Sequence, residues 1–315
     1  MAEFKIVSDE EVRKTIPMSV AIDLMAEAFK QISDRTAVVP IRTGIEKSDH
    51  SARALFMPAY SPGYHLFGLK MVGVFPENTA KNLPAIQGKV LVIDDENGTP
   101  RGLIDAGYLT ALRTGAASGL ATKLLSSPRA ETMAVFGTGT QAITQVEAVC
   151  CVRNIKTIFA FGTSTAKTKS FCTQMEETQK AIFLPGQLSD LSKADVICTA
   201  TTSIEPLFQL SHLKPGVLIN GIGSYKPEMH EIASDIIKNC RLVVDQREPV
   251  LSEAGDIMIP IREGVIDENH IYAELGEIVS GEKSGGPLKD GCTVFKSVGN
   301  AVQDLAIAAY LLKGS

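Results

Sequence analysis

Two glycines one residue apart, Gly137 and Gly139, follow a short apolar run in the stretch MAVFGTGTQA. With Ala142 they form the pattern GxGxxA, directly after a predicted strand and directly before a predicted helix. There the first glycine permits a sharp turn, the second lets the backbone approach a pyrophosphate, and the small third residue lets the helix pack closely on the sheet. The free N–H groups at the helix start would face the phosphates. The pattern predicts a dinucleotide site, although a purely structural turn can also contain two glycines.

Three cations lie among apolar residues, in VVPIRTG, FGLKMVG and LTALRTG; they are Arg42, Lys70 and Arg113. Alternation along a strand would place Lys70 on one face of a sheet, and Arg113 lies in an otherwise apolar helix start. A buried cation needs an anionic partner, because leaving it unpaired is costly. Internal salt bridges or a bound carboxylate would both supply one. Taken together with a nucleotide fold, the three cations indicate a pocket for a substrate carboxylate.

The residue after the second strand of a dinucleotide-binding fold selects between NAD and NADP, because an acid there binds the ribose 2′-hydroxyl and repels a 2′-phosphate. Here TIFAF is followed by GTSTAK, which contains no carboxylate. The hydroxyls, with Lys167 and Lys169 nearby, could accept a phosphate, but no arginine is present and the loop could be merely polar. We therefore expect NADPH as the cofactor, with NADH tolerated.

The elements that must position these residues change in character along the chain. An amphipathic helix is predicted for the stretch SVAIDLMAEAFKQIS, with Ile22, Met25, Ala26 and Phe29 on its apolar face. From about 36 to 105, strand-like runs separated by turns predict an antiparallel or mixed sheet, with a hairpin at Asn97-Gly98. A long helix is predicted for the stretch YLTALRTGAASGLATKLL.

From residue 131 strands and helices alternate, which predicts a parallel sheet wound by crossover helices. The strands are TMAVFG, IKTIFAFG, ADVICTAT, GVLINGIG and CRLVVD, and the tail TVFKSVGNAVQDLAIAAYLLK predicts an amphipathic helix. The fold class is α/β: a Rossmann-type, doubly wound NAD(P)-binding domain at 116–295, and an α+β domain at 1–115 completed by a C-terminal helix at 296–315.

Composition excludes several classes of protein. The 315 residues are 44% hydrophobic and 21% charged, with a net charge of −5, so no basic surface for nucleic acid is expected. No apolar run has the length of a membrane span and the start does not read as a signal peptide. The six cysteines lack CxxC spacing and the five histidines lack metal-ligand spacing, so we expect reduced thiols, no metal and a cytoplasmic location.

Over nearly its whole length the sequence resembles the ornithine cyclodeaminase/μ-crystallin family. The resemblance rests on MPAY, GLKMVGVFPEN, LPAIQGKVLVIDDENGTPRGLIDAGYLTALRTGAASGLATKLL, VFGTGTQA, NGIGSYKPEMHEI and FKSVGNAVQDLA. It implies an N-terminal substrate and dimerisation domain around an NAD(P)-binding domain, and a homodimer. It also places the substrate carboxylate on Lys70, Arg113 and Arg42. The cofactor residues that it implies are Thr114, Gly137, Thr138, Gly139, Thr140, Gln141, Thr163, Ser164, Thr199, Ile222, Gly223, Val298 and Gly299.

Two departures from the cyclodeaminase pattern bear on the activity. Tyr225 stands where those enzymes have an aspartate, and Leu55 stands where they have a glutamate. A site without these acids is poorly equipped to bind a diamine, activate water and expel ammonia, but it can still deliver a hydride to a C=N bond. We expect reduction of a cyclic α-imino acid, Δ1-pyrroline-2-carboxylate to L-proline, with the six-membered piperideine acid as a second substrate. The alternatives are ornithine cyclodeamination, alanine dehydrogenation and binding without turnover.

Overall fold

The structure is a computed structural model that describes residues 4–313, apart from the side chain of Thr79. It divides into two units: residues up to Arg113 together with those from Gly299 onward, and Thr114–Val298. The first boundary falls inside a helix and the second falls just after a strand. Among the described residues, no helix combines the length and the apolar character needed to cross a membrane.

The first unit is built on a six-stranded mixed sheet. Its strands are β1 (Lys5–Val7), β2 (Thr43–Glu46), β3 (Arg53–Ser61), β4 (Leu66–Val74), β5 (Ile86–Asp94) and β6 (Pro100–Asp105), in the order β1-β6-β5-β4-β3-β2. β1 pairs with β6 in parallel, whereas the other neighbours are antiparallel. The mixed sheet and the hairpin at Asn97-Gly98 are confirmed, and Gly98 adopts the left-handed φ of 74° that the turn requires.

Helices cover one face of this sheet. They are α1 (Asp9–Thr15), α2 (Met18–Ser33), the first part of α3 (Ala106–Leu125) and α10 (Ala301–Leu311). α10 packs against β3, β4, β5 and α2. Gly68 permits the contact with β4, because a Cβ there would lie 3.0 Å from Leu305 Cδ1. The predicted apolar face of α2 is confirmed for Ile22, Met25 and Phe29, which are buried, whereas Ala26 is only partly buried.

The second unit is an eight-stranded, wholly parallel sheet. Its strands are β7 (Thr132–Phe136), β8 (Thr157–Phe161), β9 (Ile182–Pro185), β10 (Val196–Thr199), β11 (Val217–Gly221), β12 (Cys240–Val244), β13 (Ile271–Glu274) and β14 (Cys292–Lys296), in the order β13-β12-β14-β11-β10-β7-β8-β9. Its remaining helices are α4 (Thr140–Val152), α5 (Thr165–Glu176), α6 (Ser234–Asn239), α7 (Arg247–Glu253), α8 (Gly255–Arg262) and α9 (Leu275–Val279). The chain winds one way through β7, β8 and β9, and then restarts on the other side of β7 at β10. This reversal is the topological switch point at which doubly wound sheets bind ligands.

The central strands β7, β10 and β11 of this sheet are apolar and buried on both faces. Met133 and Val135 of β7 pack into one core with α4 and α5, whereas Ala134 and Phe136 pack into the other. Burial on both faces explains the continuous apolar runs that predicted these strands.

The prediction for the C-terminal tail is wrong at its start. Residues 292–296 form β14, which lies between β11 and β12 in the middle of the sheet, and the helix begins only at Ala301. Thr293, Val294 and Phe295 are β-branched or aromatic and all are buried, as in a central strand. A short apolar run joined to a helical pattern does not show in the sequence where one element ends and the next begins.

Candidate functional site

The cations Lys70 and Arg113 meet on one buried carboxylate in the first unit. Lys70 Nζ donates to Asp304 Oδ1 at 2.9 Å, and Arg113 Nε donates to the same oxygen at 3.3 Å. Arg113 Nη1 also donates to Gln303 Oε1 at 2.8 Å. The internal salt bridges that the sequence left open are therefore present, and they converge on a single acid.

Three elements hold this cluster. Lys70 points to the helix-covered face of β4 because it alternates with the exposed Leu69 and Met71. Arg113 lies on α3, and Asp304 lies in the first turn of α10, whose N-cap is Asn300. The Asn300 Oδ1 atom accepts from Gln303 N at 3.4 Å.

The third cation, Arg42, reaches the same loop. Its Nη2 atom donates to the carbonyl oxygen of Gly299 at 2.7 Å. Gly299 has a φ of 73°, and a Cβ there would collide with the Arg113 guanidinium. The structure thus brings all three predicted cations to the segment 299–304.

The cluster has an excess of positive charge. Lys70 is 2% exposed and Asp304 is fully buried, and two cations, Lys70 and Arg113, share this one carboxylate. Burial, together with the nearby Arg113 and Arg42, lowers the pKa of Lys70 to about 8 against the raising effect of Asp304. An anion would be stabilised there, since Lys70 carries three N–H donors and Arg113 carries five.

In the second unit, the glycine turn after β7 has the geometry of a phosphate loop. Gly137 has a φ of 110°, and a Cβ there would lie 2.6 Å from the carbonyl oxygen of Ala200. Gly139 is the N-cap of α4, and no atom lies within 4 Å of the place where its Cβ would be. The first position therefore requires glycine for the chain to turn, and the second leaves open space at a helix N-terminus.

That open space fits the pyrophosphate of a dinucleotide. Next to it, Thr138 and Thr140 flank Gly139, and the buried Gln141 Oε1 atom has no hydrogen-bond partner among the described residues. The backbone N–H groups that open α4, with the positive end of the helix dipole, supply the donors that a phosphate needs.

The loop after β8 contains no acid, and its hydroxyls are partly engaged. Ser164 caps α5, with its Oγ accepting from Lys167 N at 3.3 Å. Thr163 and Lys167 are exposed. Nothing in residues 162–167 would repel a 2′-phosphate by charge.

The ends of β10 and β11 are tied together by a carboxylate that the sequence did not identify, Glu231. One of its oxygens accepts from Thr199 Oγ1 at 2.9 Å and from Ser224 N at 3.1 Å. The other accepts from Thr201 N and from Thr201 Oγ1, each at 2.7 Å. Burial, reinforced by the nearby Asp256, raises the pKa of Glu231 above its usual range. The predicted cofactor residue Thr199 therefore has its side chain committed to this acid.

Gly223 lies against the same carboxylate, since a Cβ on it would collide with Glu231 Oε1 and with Thr201 O. Ile222 N and Gly223 N both donate to Thr199 O, at 3.0 and 3.1 Å. These bonds fix the loop that follows β11 to the end of β10.

Two further acids hold neighbouring segments. Asp256 accepts from the backbone N–H groups of Glu231 and Ile232 and pairs with Lys296 at 2.9 Å, both side chains being fully buried. Asp245 Oδ2 accepts from Ser297 Oγ at 2.8 Å and from Val298 N at 2.9 Å. Val298, another predicted cofactor residue, is thereby held at the carboxyl end of β14.

Three further residues singled out from the sequence are buried or partly buried. Thr114 is buried on α3, Tyr225 is partly buried against a core of the second unit, and Leu55 is a half-buried residue of β3. Among the described residues, no group of three or more His, Cys, Asp and Glu side chains could hold a metal ion. All six cysteines are free thiols.

Sequence reasoning missed the acids Asp304, Glu231 and Asp256. Each is a single carboxylate within a mostly apolar or mixed segment, and nothing in the local spacing distinguishes it from a solvent-exposed acid. The sequence offered one indication of Asp304: a buried cation such as Lys70 requires an anionic partner, and the tail helix contains few acidic residues.

Comparison with known proteins places the chain in one family. The model of the ornithine cyclodeaminase/mu-crystallin family matches residues 3–313, and the chain belongs to that family. A relative from Bacillus cereus, a Delta(1)-pyrroline-2-carboxylate reductase, is 38% identical over 309 residues, covering 97% of this chain and 95% of the relative.

Two solved structures share the fold. Delta(1)-pyrroline-2-carboxylate reductase of Thermococcus litoralis, in complex with NADH and L-proline, is 37% identical with a TM-score of 0.92, covering 98% of this chain and 96% of that one. An archaeal alanine dehydrogenase dimer with bound NAD is 31% identical with a TM-score of 0.92, covering 98% and 95%. The predicted Rossmann-type fold and the resemblance to the family are confirmed.

The open space at Gly139 makes a testable prediction. Gly139 has a negative φ that valine adopts, so Gly139→Val should fold normally while its side chain fills that space. Losing one or two charge-assisted hydrogen bonds to a phosphate should weaken NADPH and NADH binding by about 10- to 100-fold or more. Fluorescence titration measures this, with Gly44→Val on the exposed strand β2 as the matched control. Unchanged affinity in Gly139→Val would mean that the turn is only structural.

Proposed function

We propose that this protein reduces a cyclic α-imino acid with a hydride from a reduced nicotinamide dinucleotide, and that its substrate is Δ1-pyrroline-2-carboxylate, which becomes L-proline. The observation that carries the proposal is the convergence of Arg42, Lys70 and Arg113 on the segment 299–304. The likeness to pyrroline-2-carboxylate reductases over almost the whole chain supports it. In this proposal the first unit binds substrate and the second binds the cofactor.

The three cations bind and orient the substrate carboxylate. Because Asp304 fixes Lys70 and Arg113 from one side, their remaining N–H donors have few orientations, and little conformational entropy is lost on binding. A carboxylate held in this way presents C2 of the imine ring in a defined direction. The bound nicotinamide would supply the hydride, and this chain contributes orientation and electrostatic stabilisation.

The residues of the second unit hold the cofactor in this proposal. Gly137 and Gly139 shape the turn for the pyrophosphate, with Thr138, Thr140 and Gln141 around it. Thr114, Thr163 and Ser164, together with Thr199, Ile222, Gly223 and Val298, would contact the rest of the dinucleotide. Gly299, the remaining predicted cofactor residue, belongs to the first unit. Glu231 and Asp245 act through the backbone, because they fix the loops on which Gly223 and Val298 lie.

Cofactor choice follows from the loop after β8. With no acid in residues 162–167, NADPH and NADH should both be used, and the exposed Lys167 favours NADPH.

Cyclodeamination of ornithine is disfavoured by the same site. Tyr225 and Leu55 provide no carboxylate for a second amine, and the cluster is rich in positive charge, which repels a diamine. Alanine dehydrogenase activity is the second candidate, since the archaeal enzyme is similar over 98% of this chain.

We also propose a homodimer formed through the face of the first sheet that the helices leave uncovered. Phe67, Leu69 and Met71 alternate along β4 and are 45%, 36% and 48% exposed, and Phe67 stacks on Tyr60 of β3 with ring centroids 4.5 Å apart. On β5, Leu91 and Ile93 pair with Leu69 and Phe67 and so lie on the same face. A contiguous apolar strip of this kind is typical of an obligate interface.

The first prediction from this proposal concerns the substrate carboxylate. Lys70→Met keeps the apolar stem and removes the charge, so kcat/KM for Δ1-pyrroline-2-carboxylate should fall about 10- to 100-fold or more, while NADPH binding is retained. Lys156→Met, at an exposed ion pair of the second unit, is the control and should be fully active. Consumption of NADPH and NADH is followed with a panel that also contains Δ1-piperideine-2-carboxylate, pyruvate with ammonia, and L-ornithine. Robust ammonia release from ornithine, or full activity of Lys70→Met, would overturn the proposal.

The second prediction is a pH dependence. Lys70 binds a carboxylate in its charged form, and its pKa is lowered to about 8, so kcat/KM should decline as the pH rises through about 8. Ionisation of the substrate itself affects wild type and Lys70→Met alike. The ratio of their kcat/KM values should therefore be largest below about pH 8 and should shrink above it. A ratio that stays constant across this range would show that Lys70 does not act through its charge.

The third prediction tests the dimer. Leu69→Glu places charges on the proposed interface and should convert a dimer to a monomer at micromolar concentration, as measured by light scattering. Leu184→Glu is the matched control, because Leu184 is 42% exposed on β9 of the second unit. A monomeric wild type, or a Leu69→Glu variant that still dimerises, would count against this face.

A further inference from the structure

Glu231 is a fully buried carboxylate that has no cation as a partner. Among the described residues, no lysine, arginine or histidine forms an ion pair with it. Instead, each oxygen accepts one backbone N–H group and one hydroxyl group, from Thr201 on one side and from Ser224 and Thr199 on the other. All four contacts come from donors, which matches an ionised carboxylate. A buried acid without an opposite charge is rare, because the desolvation of its charge is only partly compensated.

The surroundings of Glu231 leave one negative charge in excess. Asp256 accepts hydrogen bonds from the backbone N–H groups of Glu231 and Ile232, and it pairs with Lys296 at 2.9 Å. Both members of that pair are fully buried as well. Two carboxylates thus share one cation, and the excess negative charge is held where salt and water screen it poorly.

This charge lies one layer of residues beneath an accessible surface at the carboxyl ends of β10 and β11. Gly223 and Thr201 form that layer: both are partly exposed, and a Cβ on Gly223 would collide with Glu231 Oε1. Thr201 follows Ala200, whose carbonyl oxygen lies 2.6 Å from the place of a Cβ on Gly137 in the phosphate loop. The surface above Glu231 is therefore a neighbour of the turn that fits a pyrophosphate.

In the proposed function, the sheet topology matches this surface with the nicotinamide half of the dinucleotide. The residue that contacts the adenine ribose in a doubly wound sheet follows the second strand, here β8, and the dinucleotide crosses the switch point. β8 lies on one side of β7, whereas β10 and β11 lie on the other. The half of the dinucleotide that does not carry adenine thus belongs over the carboxyl ends of β10 and β11.

We propose that the buried charge of Glu231 stabilises the positive charge that the nicotinamide ring acquires when it gives up its hydride. This inference rests on the proposed function and goes beyond the ordering of loops by Glu231. The hydride leaves the ring with both electrons of its C–H bond and forms a bond to the carbon of the protonated C=N group. One positive charge thereby moves from the substrate to the ring, and the product is a neutral amine. A fixed charge beneath the ring needs no reorganisation at that moment, and it also favours binding of the oxidised cofactor over the reduced one.

The test compares cofactors that differ in the charge of the ring. Binding of NAD⁺, NADH and ADP-ribose, which lacks the nicotinamide, is measured by calorimetry at pH 8, because burial raises the pKa of Glu231 and a higher pH favours its ionised form. Glu231→Gln removes the charge, so Kd should rise about tenfold more for NAD⁺ than for NADH, as expected for one partly buried unit charge. All three ligands will also lose some affinity, because either orientation of the amide places its NH₂ group against a backbone N–H.

Two further variants separate charge from geometry. Glu231→Asp keeps the charge and shortens the side chain, so it should weaken NAD⁺ and NADH by similar factors and leave their ratio unchanged. Glu228→Gln is the matched control, since the Glu228 side chain lies in the same loop but is 65% exposed, and solvent screens its charge. If Glu231 only holds the loops, Glu231→Gln will weaken NAD⁺, NADH and ADP-ribose alike, and the proposal is wrong.

Wild type decides the matter if Glu231→Gln does not fold. NAD⁺ should bind to wild type at least as tightly as NADH, and a preference for NADH above about tenfold would overturn the proposal. These are binding measurements and are independent of turnover. A protein with the expected ratios that reduces no imine would contradict the proposed function alone. An active reductase in which Glu231→Gln leaves the ratio unchanged would contradict only the electrostatic role of Glu231.

Discussion

The shared salt bridge on Asp304 is the interaction on which the first unit depends. It joins three elements that are distant in sequence: Lys70 on β4, Arg113 on α3 and Asp304 on α10. Removing one member of a buried ion pair typically costs about 3–5 kcal/mol, because the other charge is left unpaired. The same carboxylate thus holds the terminal helix on the sheet and fixes two of the cations that we propose as the site of the substrate carboxylate.

The second unit uses buried acids for a related purpose. Glu231 accepts hydrogen bonds from Thr199, Thr201 and Ser224, and thereby ties the ends of two neighbouring strands together. Loops at the carboxyl edge of a parallel sheet would otherwise have several conformations of similar energy. A fixed carboxylate selects one of them, so the loops are already ordered before any ligand binds, and the entropy lost on binding is reduced.

Much of this could be predicted from the sequence. The GxGxxA turn, the strand-helix alternation after 131 and the strand pattern around Lys70 each depend on local spacing, and the structure has the corresponding elements. What could not be predicted depends on contacts between distant residues. Asp304 lies 234 residues from Lys70, and Glu231 lies 32 residues from Thr199, so neither pairing leaves a local pattern. The strand β14 was missed for a different reason, since its apolar residues continue into a helical pattern.

The position of β14 governs the order in which the chain can fold during synthesis. It is the last of the described strands in chain order, yet it lies between β11 and β12, so the β12 and β13 pair has no neighbour on that side until residue 296 has left the ribosome. The helix that completes the first unit comes later still, at Ala301–Leu311. Both units therefore remain unfinished until residues 292–311 have emerged, and until then a nascent chain exposes unpaired strand edges and apolar surface. A chain that ends before Cys292 would lack both β14 and α10, so both units would be incomplete, and quality control in the cell would meet such a fragment as an aggregation-prone chain.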